Sequence, residues 1–162
     1  MSIAYRPIGV VRSPFTKLDG MPLQSVAAAG VEGTIEIDHG LADGLRDIDG
    51  FSHLHVVVHL HRGQPGGLLV TPFLDDVEHG VFATRSPRHP NPIGLSVVRL
   101  LRVDGTTLHV SGLDLLDGTP VLDLKPYVPA FDSVAAERIG WFEGRVDRVH
   151  HVRADGRLDT TT

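Results

Sequence analysis

Leu54-His55-Val56-Val57-Val58-His59-Leu60-His61 is the stretch on which the fold turns. Leu54, Val56, Val58 and Leu60 fall on one face of an extended chain, and His53, His55, Val57, His59 and His61 on the other. Such alternation marks a strand with one buried face, because successive side chains in a strand point to opposite sides of a sheet.

Outward from this strand the chain reads as more strands and turns. Ile3 to Val11 is β-rich, with Pro7 near its start, and ends at Arg12-Ser13-Pro14. Thr16 to Gly30 shows no clear period and is predicted as a long ordered loop. Gly33 to Asp38 alternates and reads as a strand, and His39 to Gly50 holds at most a helical turn around Leu41 to Leu45. Val81 to Thr84 is predicted as a short strand. Ser96 to Val103 and Leu108 to Ser111 flank Asp104-Gly105, a hairpin signal. Val121 to Leu124 is a further strand. Asp132 or Ser133 is placed to cap one short helix, Val134 to Ile139, stopped by Gly140. Trp141 to Val152 reads as a strand or an irregular segment. The expected fold is all-β: a small closed or partly open β-barrel of six to eight strands with one short helix. Its expected extent is residues 1–152, followed by a flexible tail over 153–162.

Composition narrows the function. The chain has 162 residues, 41% hydrophobic and 22% charged, which suits one soluble domain. A formal net charge of -5 argues against a generic nucleic-acid binder but leaves room for a local basic patch. The absence of cysteine excludes disulfides, thiolate metal sites and Cys nucleophiles. No signal-peptide pattern opens the sequence and no apolar run matches a bilayer, so the cytoplasm is the expected compartment and no membrane partner is expected. There is no G-x-G-x-x-G, Walker A or G-x-S-x-G pattern, so a nucleotide-like cofactor needs a site of another kind.

Three constellations could carry chemistry. Between Glu78 and Asp104 the chain holds no carboxylate, and Thr84 to Ser96 presents Arg85, Arg88 and Asn91 from a loop stiffened by Pro87, Pro90 and Pro92. A guanidinium forks onto carboxylate or phosphate, so this loop suits an anionic or zwitterionic ligand, against the plainer reading of a rigid surface crossing. Asp114-Leu115-Leu116-Asp117-Gly118-Thr119-Pro120 places two aspartates about a glycine turn, able to accept from ribose hydroxyls or simply to cap local amides. Lys125-Pro126-Tyr127 follows one strand later. Third, the strand histidines pair as His53 with His55 and His59 with His61. The pairs lie about 20 Å apart at ~3.3 Å per residue, so one metal cannot use both. No metal site is assigned.

In chain order, Ile8 to Phe15, Phe51-Ser52-His53, Gly80 to Pro87, Pro90 to Ser96, Asp114 to Pro120 and Asp123 to Pro129 resemble the TsaA/TrmO-like family. The resemblance spans roughly Ile3 to Trp141. It implies a small β-barrel methyltransferase that uses S-adenosyl-L-methionine, whose best characterised activity is N6-methylation of threonylcarbamoyladenosine beside the anticodon of tRNA. It also implies a homodimer with the cofactor near the subunit boundary. Carried over residue by residue, it implies cofactor contacts from Pro22, Leu23, Gln24, His61, Arg62, Arg85, Leu95, Asp117, Gly118, Thr119 and Pro120. In that frame Arg85 takes the methionine carboxylate, Asp117 or its turn amides hold the ribose or amino group, and Gln24 and Leu95 frame the adenine.

Two residues depart from the family pattern. His89 stands directly before Pro-Asn-Pro, where the family often has Arg, and a histidine is not a permanent cation. Leu23 stands where a basic residue is common. The sequence ends soon after the expected barrel, so the extra C-terminal domain of longer members is not expected here. Lys125 and Tyr127 are the candidates for acceptor positioning, with Asp132, Tyr127 or a strand histidine as candidates to receive the acceptor's proton. The alternatives are a methyltransferase of the same fold acting on a small molecule, and a metal-binding or non-enzymatic barrel that uses the histidine face.

Overall fold

The computed structural model describes residues 1–155. Its strands are β1 (Gly9–Arg12), β2 (Glu32–Ile37), β3 (His53–His59), β4 (Leu69–Val70), β5 (His79–Gly80), β6 (Ile93–Asp104), β7 (Thr107–Ser111) and β8 (Pro120–Pro126). Six of them close into a barrel in the order β1-β2-β7-β6-β3-β8, and β4 with β5 forms a separate two-stranded sheet. Every pairing in the barrel is antiparallel. A closed sheet has no free edge to offer to another chain, which removes the usual liability of small β proteins.

The alternation of β3 produces the expected burial. Leu54, Val56 and Val58 are fully buried, and they meet Val11, Ile35, Val98, Leu108, Val110 and Val121 from the other five barrel strands. Each such side chain stabilises the fold by roughly 1.5–3 kcal/mol through burial. Gly33 permits the close approach of β1 and β2. A Cβ there would lie 2.3 Å from the Arg12 carbonyl oxygen and 2.6 Å from Leu113 Cδ2.

The hairpin between β6 and β7 forms, one residue along from the Asp-Gly pair. Asp104 pairs with Thr107, so Gly105 and Thr106 are the loop, with Gly105 at φ 59°. Gly at the first central position with positive φ is the habit of a type II′ loop.

Three expectations change, and one open alternative is decided. The first strand starts at Gly9 instead of Ile3, and residues 1–7 are exposed with nothing to pair against. Val81–Ala83 is a 3-10 turn and not a strand, because the Thr84 hydroxyl and amide both close back on the Val81 carbonyl. No helix forms over 134–139. That segment is exposed throughout and has no face to bury, and short isolated helices are marginal in water. Among the described residues the one α-helical turn is Pro129–Asp132, with Pro129 at its start and the Asp132 carboxylate accepting from the Val128 amide at 2.6 Å. Beyond it, Gly140–Phe142 and Val146–His150 are 3-10 turns, so 141–152 is the irregular segment and not a strand.

The segment that follows is held to the body at its start. Arg153 bridges Pro22, and Ala154 exchanges backbone hydrogen bonds with Gly20 and Met21. The rest of the predicted tail, 156–162, lies outside the described residues.

Candidate functional site

A cleft of about 740 Å³ opens beside the barrel. Its walls come from several parts of the chain. The loop before β2 supplies Pro22, Leu23 and Gln24; the end of β3 supplies Leu60, His61 and Arg62. The proline loop and the start of β6 supply Arg85, His89, Leu95 and Ser96. The connection from β7 to β8 supplies Asp114, Leu115, Leu116 and Thr119, and the C-terminal segment supplies Trp141, Phe142 and Val149. Clefts of several hundred Å³ with mostly apolar walls and a few polar groups suit small ligands and cofactors.

The proline loop is braced by more than its prolines. The Ser86 amide donates to the Thr84 hydroxyl and the Arg88 amide to the Ser86 hydroxyl, and the His89 ring donates through Nε2 to the Thr84 carbonyl at 3.1 Å. These local bonds leave Arg85 projecting into the cleft, where its Nη1 donates to Gln24 Oε1 at 2.8 Å. That bond joins two segments 61 residues apart, and both partners are among the predicted cofactor contacts. Arg88 does not line the cleft; its side chain packs over Gly66.

Eight of the predicted contacts line this cleft: Pro22, Leu23, Gln24, His61, Arg62, Arg85, Leu95 and Thr119. Asp117, Gly118 and Pro120 do not line it. Asp117 Oδ1 accepts from the Ser13 amide at 3.1 Å, and the Gly118 amide donates to Val11, so this turn ties the β7–β8 connection to the end of β1. The turn reaches the cleft through buried Thr119, whose hydroxyl donates to the Leu116 carbonyl at 2.7 Å.

Asp114 is the residue the sequence did not single out from its neighbours. It lines the cleft, and its Oδ1 accepts from the Ser96 hydroxyl at 2.6 Å. Burial pushes its pKa above the ordinary carboxylate value, against the opposing pull of Ser96, of its own amide and of the Arg85 charge. His61 moves the other way. Loss of solvation first, then Arg62 and His59, hold its pKa below the usual imidazole value, which favours the neutral ring.

One wall is mortised from the C-terminal segment. Trp141 stacks on His79 (4.7 Å between ring centroids) and on Phe142 (3.9 Å), and its Nε1–H donates to the Ala83 carbonyl. Asp75 anchors the same segment, meeting His79 Nε2 at 3.0 Å and Arg145 at 3.5 Å. Its pKa is lowered, chiefly by the His79 hydrogen bond.

Lys125, Tyr127 and Asp132 are not brought to the cleft. They gather near the opposite end of β3, about 17 Å from Leu60 at ~3.3 Å per residue. Lys125 Nζ lies 2.8 Å from Asp123, the Tyr127 ring lies against His53 and His55, and Asp132 meets His55 Nε2 at 3.4 Å. His53 and His55 therefore share the Tyr127 ring, and His55 also meets Asp132. Among the described residues no three His, Asp or Glu side chains form a metal-ligating group, and no helix is long and apolar enough to cross a membrane.

Comparison with known proteins gives consistent relatives. Residues 10–133 match the tRNA-methyltransferase O N-terminal domain. A probable S-adenosyl-L-methionine-binding protein of Pyrococcus abyssi is 49% identical over 158 residues, covering 98% of this chain and 86% of that protein. The Escherichia coli tRNA (adenine(37)-N6)-methyltransferase is 38% identical over 143 residues, 82% of this chain and 61% of its own length. The crystal structure of TrmO from Pseudomonas aeruginosa superposes with a TM-score of 0.72 at 38% identity, covering 87% of this chain and 63% of that one. The chain thus spans less than two thirds of the length of that solved relative.

Proposed function

The chain belongs to the family of the tRNA-methyltransferase O N-terminal domain, and on that footing we propose that it is an S-adenosyl-L-methionine-dependent methyltransferase that methylates N6 of threonylcarbamoyladenosine in tRNA. The observation that carries this reading is the cleft. Segments far apart in sequence bring Gln24, Arg62, Arg85 and Leu95 to one cleft, all of them residues expected to touch the cofactor. The residues fit such a group. The volume is ample, the walls are largely apolar for an adenine, and the Arg85 fork offers bidentate bonds to a carboxylate.

When bound, the cofactor supplies an activated methyl group on a sulfonium. The chain's own work is to position and to shelter. Arg85, held by Gln24, fixes one end of the ligand, and Trp141, Phe142 and Val149 close a wall that keeps water off. Exposed apolar side chains at the cleft, Val26, Ile93 and Leu95 among them, suit a covering surface, either the acceptor or a second copy of the chain. This supports the expected homodimer, and a cytoplasmic place follows from a tRNA substrate.

A small-molecule acceptor in the same cleft is the second reading, favoured by the net charge of -5 and by His89 and Leu23 at positions often basic in the family. Nucleoside analysis of tRNA from cells with and without the protein separates them. An N6-methylated threonylcarbamoyladenosine that vanishes with the protein supports the first; an unchanged nucleoside profile rejects it.

A further inference from the structure

Arg85 and Asp114 line one cleft with opposite charges and do not pair with each other. No Arg85–Asp114 ion pair occurs within 4.0 Å among the described residues, yet the guanidinium is near enough to favour the ionised carboxylate. Each is propped by a neutral partner instead. Gln24 Oε1 accepts from Arg85 at 2.8 Å, and the Ser96 hydroxyl donates to Asp114 at 2.6 Å. A cation and a carboxylate that line one cleft, each bonded to a neutral partner, form a receptor for a group carrying both charges. An α-amino acid end is such a group, with carboxylate and ammonium on one carbon.

The cleft offers no competing partner for an ammonium. Among the described residues that line it, Asp114 is the one carboxylate. Asp117, its neighbour in sequence, is occupied by the Ser13 amide and sits off the wall. A largely buried carboxylate is costly even with the Ser96 hydroxyl and its own amide as donors, and an incoming ammonium offsets that cost.

We propose that Asp114 binds the α-ammonium of the cofactor while Arg85 takes its α-carboxylate, so that the pair reads the amino-acid end as a zwitterion. The inference rests on the cofactor reading above and adds to it a residue and a specificity. The cleft should discriminate strongly against a cofactor analogue that lacks the amino group, although the adenosine is unchanged.

Calorimetric titration tests it with S-adenosyl-L-methionine, S-adenosylhomocysteine and the homocysteine compound with its α-amino group replaced by hydrogen. Wild-type protein should bind the first two and bind the desamino compound about ten- to a hundredfold more weakly, the usual span for a charged hydrogen bond. Asp114→Asn should weaken the first two by a similar factor and leave the desamino compound almost unaffected. Loss for S-adenosyl-L-methionine alone would show that Asp114 answers the sulfonium, and equal wild-type affinity for the amino and desamino compounds would overturn the proposal without any variant. Wild-type protein that binds neither natural compound would instead overturn the cofactor reading beneath it.

Discussion

Replacing Arg85 by Ala separates ligand binding from folding. The side chain is exposed, and its hydrogen bond within the protein is the one to Gln24. Deleting an exposed contact of this kind costs at most about 0.5 kcal/mol, or a midpoint shift of roughly 1–2 °C for a chain this long. Ligand binding stands to lose far more. A fork of two charge-assisted hydrogen bonds to a carboxylate contributes some 1.5–3 kcal/mol each net of solvent exchange, and the exposure of Arg85 argues for a total at or just below the low end of their sum. About 2–3 kcal/mol is a fall in affinity of roughly 30- to 150-fold. Arg85→Lys should land between, since a lysine keeps the charge and loses the fork. Titration calorimetry with S-adenosylhomocysteine, beside a thermal melt of the same preparation, reads both quantities. Affinity within about twofold of wild type would refute the role given to Arg85, and so would a loss of affinity matched by a large drop in the melting midpoint.

Three further outcomes follow from the structure. Gly33→Ala forces a methyl to within 2.3 Å of the Arg12 carbonyl; it should cost at the upper end of ~1–3 kcal/mol and lower the midpoint by roughly 6 °C or more, which a thermal melt checks. Because the folded-state pKa of Asp114 is raised, the folded protein holds that proton more tightly than the unfolded chain does. Wild-type stability measured against Asp114→Asn should therefore rise as pH falls from above the raised folded value to the ordinary carboxylate value. Cofactor affinity, which needs the ionised form, should fall over the same window; the comparison with Asp114→Asn removes the contribution of His61, and denaturant melts with parallel titrations across pH decide it. Asp75→Asn takes away the common partner of His79 and Arg145. Emission from Trp141, the sole tryptophan, should shift to the red and cofactor affinity should weaken several-fold, while unchanged emission would contradict the anchoring role.

The barrel was legible where burial is one-sided. The alternation of Leu54, Val56 and Val58 has no other comfortable arrangement, and all three are fully buried. Segments held by single polar contacts were not legible. Nothing near Trp141 in sequence announces that it will stack on His79, and 134–139 looked helical because a capping residue and a stopping glycine bracket it, although it has no face to bury. The cleft was half legible for the same reason. A stiff, carboxylate-free loop with Arg85 stands out in composition, whereas Asp114 and Asp117 look equivalent until the fold sets one on the cleft wall and the other on the Ser13 amide. Lys125, Tyr127 and Asp132 carry suitable chemistry for an acceptor site, yet the path of β8 takes them to the far end of β3, beside His53 and His55.

The most direct test is methyl transfer itself: purified protein, S-adenosyl-L-methionine with a labelled methyl group, and tRNA carrying threonylcarbamoyladenosine, digested and resolved by mass. The account predicts label on N6 of that nucleoside with the wild-type chain and little or none with Arg85→Ala. Labelled nucleoside formed equally well by both proteins, or none formed by wild-type protein that demonstrably binds the donor, would contradict it.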